Sequence, residues 1–166
     1  GVQYVADSIV EAIKAHKGDK PFVLGLTTGK TPIGLFRELV KRYKAGEVSF
    51  ANVAVYSLDE FYPIMPTEKQ SRNYRIHEEL LDQGDIRPEN INFPDGTLAR
   101  EDLVSFCANY CKEKIDLMII GVGVDGQVGF NEPGSHAKSN TRLVQLSYQT
   151  RKVQSGAFNG LSNTPK

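Results

Sequence analysis

Charge of either sign is in no excess in this chain: 20 Lys and Arg face 20 Asp and Glu, for a formal net charge of zero. With no block of Lys and Arg either, there is no electrostatic footprint for nucleic acid. No apolar run approaches the roughly 20 residues that span a bilayer, and no stretch reads as a secretory signal. Cysteine is scarce. Cys107 and Cys111 lie four apart on an expected helix. A disulfide is not expected there, and the neighbouring sequence offers no further ligands for a metal site. These absences point to a globular protein of the reducing cytoplasm. Apolar content of 40% and charged content of 24% are ordinary for that class, and 166 residues suffice for one domain, 1–166, with its own core. The chain opens without Met and stops at Asn163–Lys166 in what reads as a lead-in to another element. It is read as a piece of a longer protein, incomplete at its C-terminus.

What is present is an alternation of strand and helix. Val5, Ile9, Ala12 and Ile13 share one face of an opening helix. Phe22–Leu26 reads as a buried strand, and a helix capped by Thr31, with Pro32 at its first position, runs to Lys44. Val53–Ser57 is the next strand, followed by the Pro-punctuated loop Tyr62–Thr67 and a helix over Asn73–Leu81. A turn-rich stretch, Asp85–Thr97, leads to a helix over Ala99–Lys112 and a strand at Leu117–Ile120. Arg142–Leu146 reads as a fourth strand and Gln149–Phe158 as a last helix. Repeated βα units imply an α/β fold, a doubly wound and mostly parallel sheet with helices on both faces. Three loops, Thr27–Thr31, Asp59–Glu60 and Gly121–Glu132, then leave the same end of the sheet, where ligands of such folds sit.

Two motifs mislead. Gly25–Thr31 resembles a P-loop but has three residues between its glycines where four are required, so a nucleoside triphosphate is not expected. The milder reading is a turn that offers backbone N–H groups of Thr28, Gly29, Lys30 and Thr31 to a phosphate at a helix N-terminus. The plainer one is a tight strand-to-helix turn. Gly121, Gly123 and Gly126 match the dinucleotide fingerprint, yet Gly129, Pro133 and Gly134 argue against the helix that must follow. The pair Asp59–Glu60 at a strand exit either caps the next element or does acid–base work. Asp59 is the candidate base, since a positioned and partly desolvated carboxylate can take a proton alpha to a carbonyl.

Together, LGLTTGKTP (Leu24–Pro32), VAVYSLDEFY (Val53–Tyr62), SRNY (Ser71–Tyr74) and GVGVDGQVGFNEPGS (Gly121–Ser135) resemble the glucosamine-6-phosphate deaminase/isomerase family. The resemblance covers nearly the whole chain in the family's order. The FNEPGS ending separates it from 6-phosphogluconolactonases, which share the fold. The resemblance implies a modified Rossmann-like fold and conversion of glucosamine 6-phosphate to fructose 6-phosphate and ammonia, without metal or organic cofactor. It implies a small amino-sugar phosphate as partner, no nucleic acid or membrane, and a homo-oligomer. Asp59 matches the base that moves a proton between C2 and C1 through an enediol. Asp125 and Glu132 match carboxylates flanking a ring-opening histidine, Glu60 and Thr28–Thr31 fall in the substrate site, and Ser135 and Arg142 match an effector site for N-acetylglucosamine 6-phosphate.

The departures bear on activity. Gln127 stands where the family usually has its histidine, and an amide can hydrogen-bond the sugar but cannot shuttle a proton near neutrality. Losing a general acid–base typically lowers rate by about 10²–10⁴. Gly156 replaces an arginine usual on the substrate phosphate, while Lys30 brings a charge into a loop position often held by glycine. Val144 replaces a lysine usual in the effector site, so strong activation is not expected. His136, nine residues from Gln127, is read as a surface residue. The alternatives are a catalytically weak sugar-phosphate-binding sensor or regulatory domain of this fold, and a 6-phosphogluconolactonase.

Overall fold

The computed structural model describes residues 1–166. Helix α1 (Val2–Ala15) buries Ala6, Ile9 and Val10. Strand β1 (Phe22–Leu26) follows and is buried at every position, so both of its faces are covered, as a central parallel strand requires. Helix α2 (Lys30–Lys44) buries Pro32, Leu35, Phe36, Leu39 and Val40, the spacing of one apolar stripe. Its N-cap is Gly29 at φ 128°, and no side chain caps it. The expected Thr31 cap is therefore a correction: the chain turns into the helix two residues earlier, at a conformation only glycine adopts without strain.

Strand β2 (Val53–Ser57) matches its sequence reading, and helix α3 (Arg72–Glu79) closes two residues short of the expected Leu81, in a 3₁₀ turn at Leu81–Gln83. Within the turn-rich stretch lies a strand with no sequence signal, β3 (Ile91–Asn92), too short to show any periodicity. A 3₁₀ turn at Arg100–Asp102 precedes helix α4 (Leu103–Asn109), shorter than Ala99–Lys112. It ends because Tyr110 adopts extended backbone, its hydroxyl donating to the Ser57 carbonyl at 2.7 Å. Cys107 and Cys111 thus do not share the helix, and both are free thiols. Strand β4 (Leu117–Met118) pairs with β1, and helix α5 (Tyr148–Gln154) comes last.

All three pairings are parallel and the order is β3-β2-β1-β4. The chain steps outward from β1 through β2 to β3, then crosses back to the other side of β1. The crevice created by that reversal lies at the carboxyl ends of β1 and β4. Asp116 fixes the start of β4, its carboxylate and amide bonding the Val23 amide and carbonyl at 2.8 and 2.9 Å.

Arg142–Leu146 forms no strand, which corrects the fourth-strand reading. Its apolar alternation is real, since Leu146 is buried and Val144 packs beside it, but it serves a second, small core with Phe61, Ile64 and Phe158 rather than a ladder. Strand-like periodicity needs only a face to cover; a strand also needs a neighbour with free backbone groups.

Candidate active site

At the exit of β1, Thr27 is buried and Thr28 half-buried, with the Thr28 hydroxyl sealed from solvent and lacking any hydrogen-bond partner. Gly29 turns the chain, and Lys30 and Thr31 are exposed in the first turn of α2. The unpaired amides of that first turn and the positive end of the helix dipole make this loop suited to an anion.

At the exit of β2 the two acidic side chains part company. Glu60 is committed to the start of α3. Its Oε1 accepts from the Phe61 and Arg72 amides at 2.8 and 2.9 Å, and its Oε2 from the Ser71 hydroxyl and Asn73 amide at 2.8 and 3.0 Å. With Ser71 as N-cap accepting from the Tyr74 amide, the helix's orphan donors are satisfied. Asp59 instead accepts no backbone donor. Its side chain is 14% exposed and lies 3.5 Å from Arg72 Nε, an ion pair longer than a hydrogen bond. Burial raises its pKa, Arg72 pulls it down and the Glu60 charge adds to the rise; the balance is a carboxyl above its usual range.

At the exit of β4, the Gly-rich turn opens no helix. Val122 bridges Val128, Gly123 and Gln127 pair, and Val124, Asp125 and Gly126 form a three-residue hairpin loop, with Gly126 in the left-handed region. Asp125 sits exposed at its tip. Gln127 turns back on the loop and donates its amide N–H to the Gly129 carbonyl at 2.9 Å. Gly129, at φ 58°, passes so close to β2's exit that a Cβ there would stand 3.2 Å from Asp59 Oδ2. Glu132 accepts from the Ser147 amide at 3.1 Å at the head of α5. Partial burial opposes its charge, but hydrogen bonds from Thr150 and Ser147 outweigh that and hold its carboxyl below the usual range. Arg142 donates to the Ser135 hydroxyl at 2.9 Å and to Asn131 Oδ1 at 3.2 Å, so the two effector-site candidates do meet.

A cavity of about 300 Å³ is lined by Asp59, Phe61, Phe130 and Arg142. Thr28–Thr31, Asp125, Gln127 and Glu132 lie outside its wall. The sequence reading missed Arg72. Its signal was one position past the Ser71 cap, where a side chain at the first helical residue returns toward the strand end that precedes it.

A family model described as glucosamine-6-phosphate isomerases/6-phosphogluconolactonase matches residues 2–154. The chain belongs to this family. Among family members, the glucosamine-6-phosphate deaminase of Aeromonas salmonicida is 41% identical over 95% of this chain and 62% of its own length. Glucosamine-6-phosphate deaminase 2 of Bacillus subtilis is 38% identical over 92% of this chain and 61% of its own. The chain thus spans about three-fifths of the length of these relatives. The structure of a monomeric glucosamine-6-phosphate deaminase superposes with a TM-score of 0.91 at 30% identity, covering 99% of this chain and 68% of that one. The 6-phosphogluconolactonase of Thermotoga maritima, with a TM-score of 0.68 at 24% identity over 84% of this chain and 64% of its own, shares the fold.

Proposed function

We propose that this chain is the catalytic domain of a glucosamine-6-phosphate deaminase acting in amino-sugar catabolism. The observation that carries the reading is Asp59: a carboxylate held off the backbone, largely buried, at the strand end that faces the β4 loop across Gly129. Relatives named for this activity at 35–41% identity support it. In the reaction Asp59 takes the C2 proton of the open-chain sugar and returns it at C1 through an enolamine, the nitrogen counterpart of an enediol. The resulting C2 imine is hydrolysed by water to fructose 6-phosphate and ammonia. The Thr28–Thr31 turn takes the phosphate, with Lys30 adding charge, and Gln127, Asp125 and Glu132 are assigned to the C1–O5 end. Ser135 and Arg142 are assigned to an effector site, and Glu60 supports the substrate site through α3. No cofactor enters this chemistry.

Ammonia release from glucosamine 6-phosphate by the full-length protein tests the reading. Turnover that falls by about 10²–10⁴ in Asp59→Asn, with binding of a substrate analogue retained, is the expected result. Absence of turnover in the parent would sink it.

The second reading, a sugar-phosphate sensor, is favoured by one observation: the Gln127 amide is already spent on the Gly129 carbonyl. A silent parent that gains activity as Gln127→His would select it. A cytoplasmic location and a homo-oligomer belong to the enzyme reading, although the relative with the TM-score of 0.91 is monomeric; sedimentation of the full-length protein separates the two states.

A further inference from the structure

Arg72 is held more tightly than a surface arginine needs to be. Its side chain is 16% exposed, and its guanidinium carbon lies 4.7 Å from the centroid of Phe61 and 5.0 Å from that of Phe130. The two rings come from different loops, β2's exit and β4's exit, and are themselves 5.0 Å apart between centroids. Cation–π contact at this range gives the planar group a fixed seat at the cost of desolvating it. From the third side, the Arg72 amide is bonded to Glu60 at the head of α3. The seat presents Nε to Asp59 Oδ1, and Nε has no hydrogen-bond partner of its own. An arginine that served only to hold two loops together would have no reason to bring a sealed, unbonded donor against a buried carboxylate.

The two oxygens of Asp59 therefore meet different surroundings. Oδ1 faces Arg72, while Oδ2 lies beside Gly129, where only a residue without a side chain fits, and Asp59 lines the cavity. We propose that Arg72 is the positioning residue of this carboxylate. It holds Oδ1 in an ion pair between two aromatic rings and leaves Oδ2 as the oxygen that exchanges a proton with substrate. The inference rests on the reading of Asp59 as base.

Three charged or titratable groups face Asp59: Arg72 from α3, Glu60 beside it in the chain, and the Tyr110 phenol from the end of α4. Of these only Arg72 favours the ionised carboxylate. A cation at 4–6 Å typically lowers a carboxyl by about 1–3 units, so its removal should be read directly in the titration of Asp59.

The experiment is a ¹³C NMR titration of the Asp59 carboxyl in the full-length protein, for the parent, Arg72→Met and Arg72→Lys, beside the pH profile of kcat/KM. In Arg72→Met the Asp59 midpoint should rise by about one unit or more. The acidic limb of kcat/KM should move with it, KM changing by about twofold or less. Arg72→Lys keeps the charge without the planar fork and should show a smaller rise, which carries the test if Arg72→Met does not fold. An unchanged midpoint in a folded variant overturns the proposal, as does a loss of stability with the pH profile unmoved. A shifted midpoint in a protein that releases no ammonia supports the hold of Arg72 on Asp59 and defeats the deaminase reading alone.

Discussion

At the scale of one residue, Asp59 ties the proposed base to the stability of the fold. Its folded pKa lies above the ordinary value of 3.8, with burial the largest cause. Between that value and the raised one, the folded state binds more protons than the unfolded chain, so stability contributed at low pH is lost as pH rises through the folded pKa. Asp59→Asn cannot ionise. Its thermal midpoint should therefore gain on the parent's as pH rises from about 4, and the difference should flatten once Asp59 is ionised. A difference independent of pH in scanning calorimetry would show that the carboxyl is not perturbed. Such a trade of stability for reactivity is common where a charge is kept dry for chemistry. Asp59 was legible as a candidate because an acidic pair follows an apolar strand. Its separation from Glu60 was not, since adjacent residues at a strand end differ in partner only once α3 is in place.

Glu60 belongs to the element scale. Four donors from Phe61 to Asn73 converge on it, so it ties β2's exit to the head of α3 and thereby seats Arg72. Replacing it by Ala leaves several part-buried donors without a partner, and about 2–3 kcal/mol of stability should go with them. Glu60→Gln, which keeps one acceptor oxygen, should lose less. Urea unfolding measures both. A Glu60 that contacted substrate instead would raise KM in Glu60→Gln with little change in the urea midpoint. The same scale explains the sequence readings that needed correction. The helix over Ala99–Lys112 was cut short by Tyr110 reaching for Ser57, and the Arg142–Leu146 alternation was used on a small core. Both are tertiary decisions overriding a local pattern.

For the whole molecule, the pairing of β1 with β4 sets where the β4 loop leaves the sheet relative to the exits of β1 and β2. Gly25 sits opposite Met118 in that pairing, and a Cβ on Gly25 would run into the Met118 sulfur. Gly25→Ala should therefore destabilise by about 1–3 kcal/mol through overpacking and lower activity by moving the β4 loop. Adding Met118→Ala should recover most of the loss, because the clash is with a side chain. Urea midpoints of the two single variants and the double variant measure the coupling. No recovery would place the strain in the backbone.

The periodicities of α1, β1, α2 and β2 determined the α/β architecture without help from packing. Buried runs and 3.6-residue stripes are local consequences of which face must leave water. The glycines and acidic residues at three strand exits likewise marked the carboxyl end of the sheet as the place for a candidate site. Only the tertiary structure decided which carboxylate would be buried and held off the backbone. Glu60 and Asp59 are neighbours of the same chemistry, and what separates them is contact with distant residues: Ser71 and Asn73 on one, Arg72 and Gly129 on the other. Burial and opposing charge act through space, so no spacing along the chain encodes them.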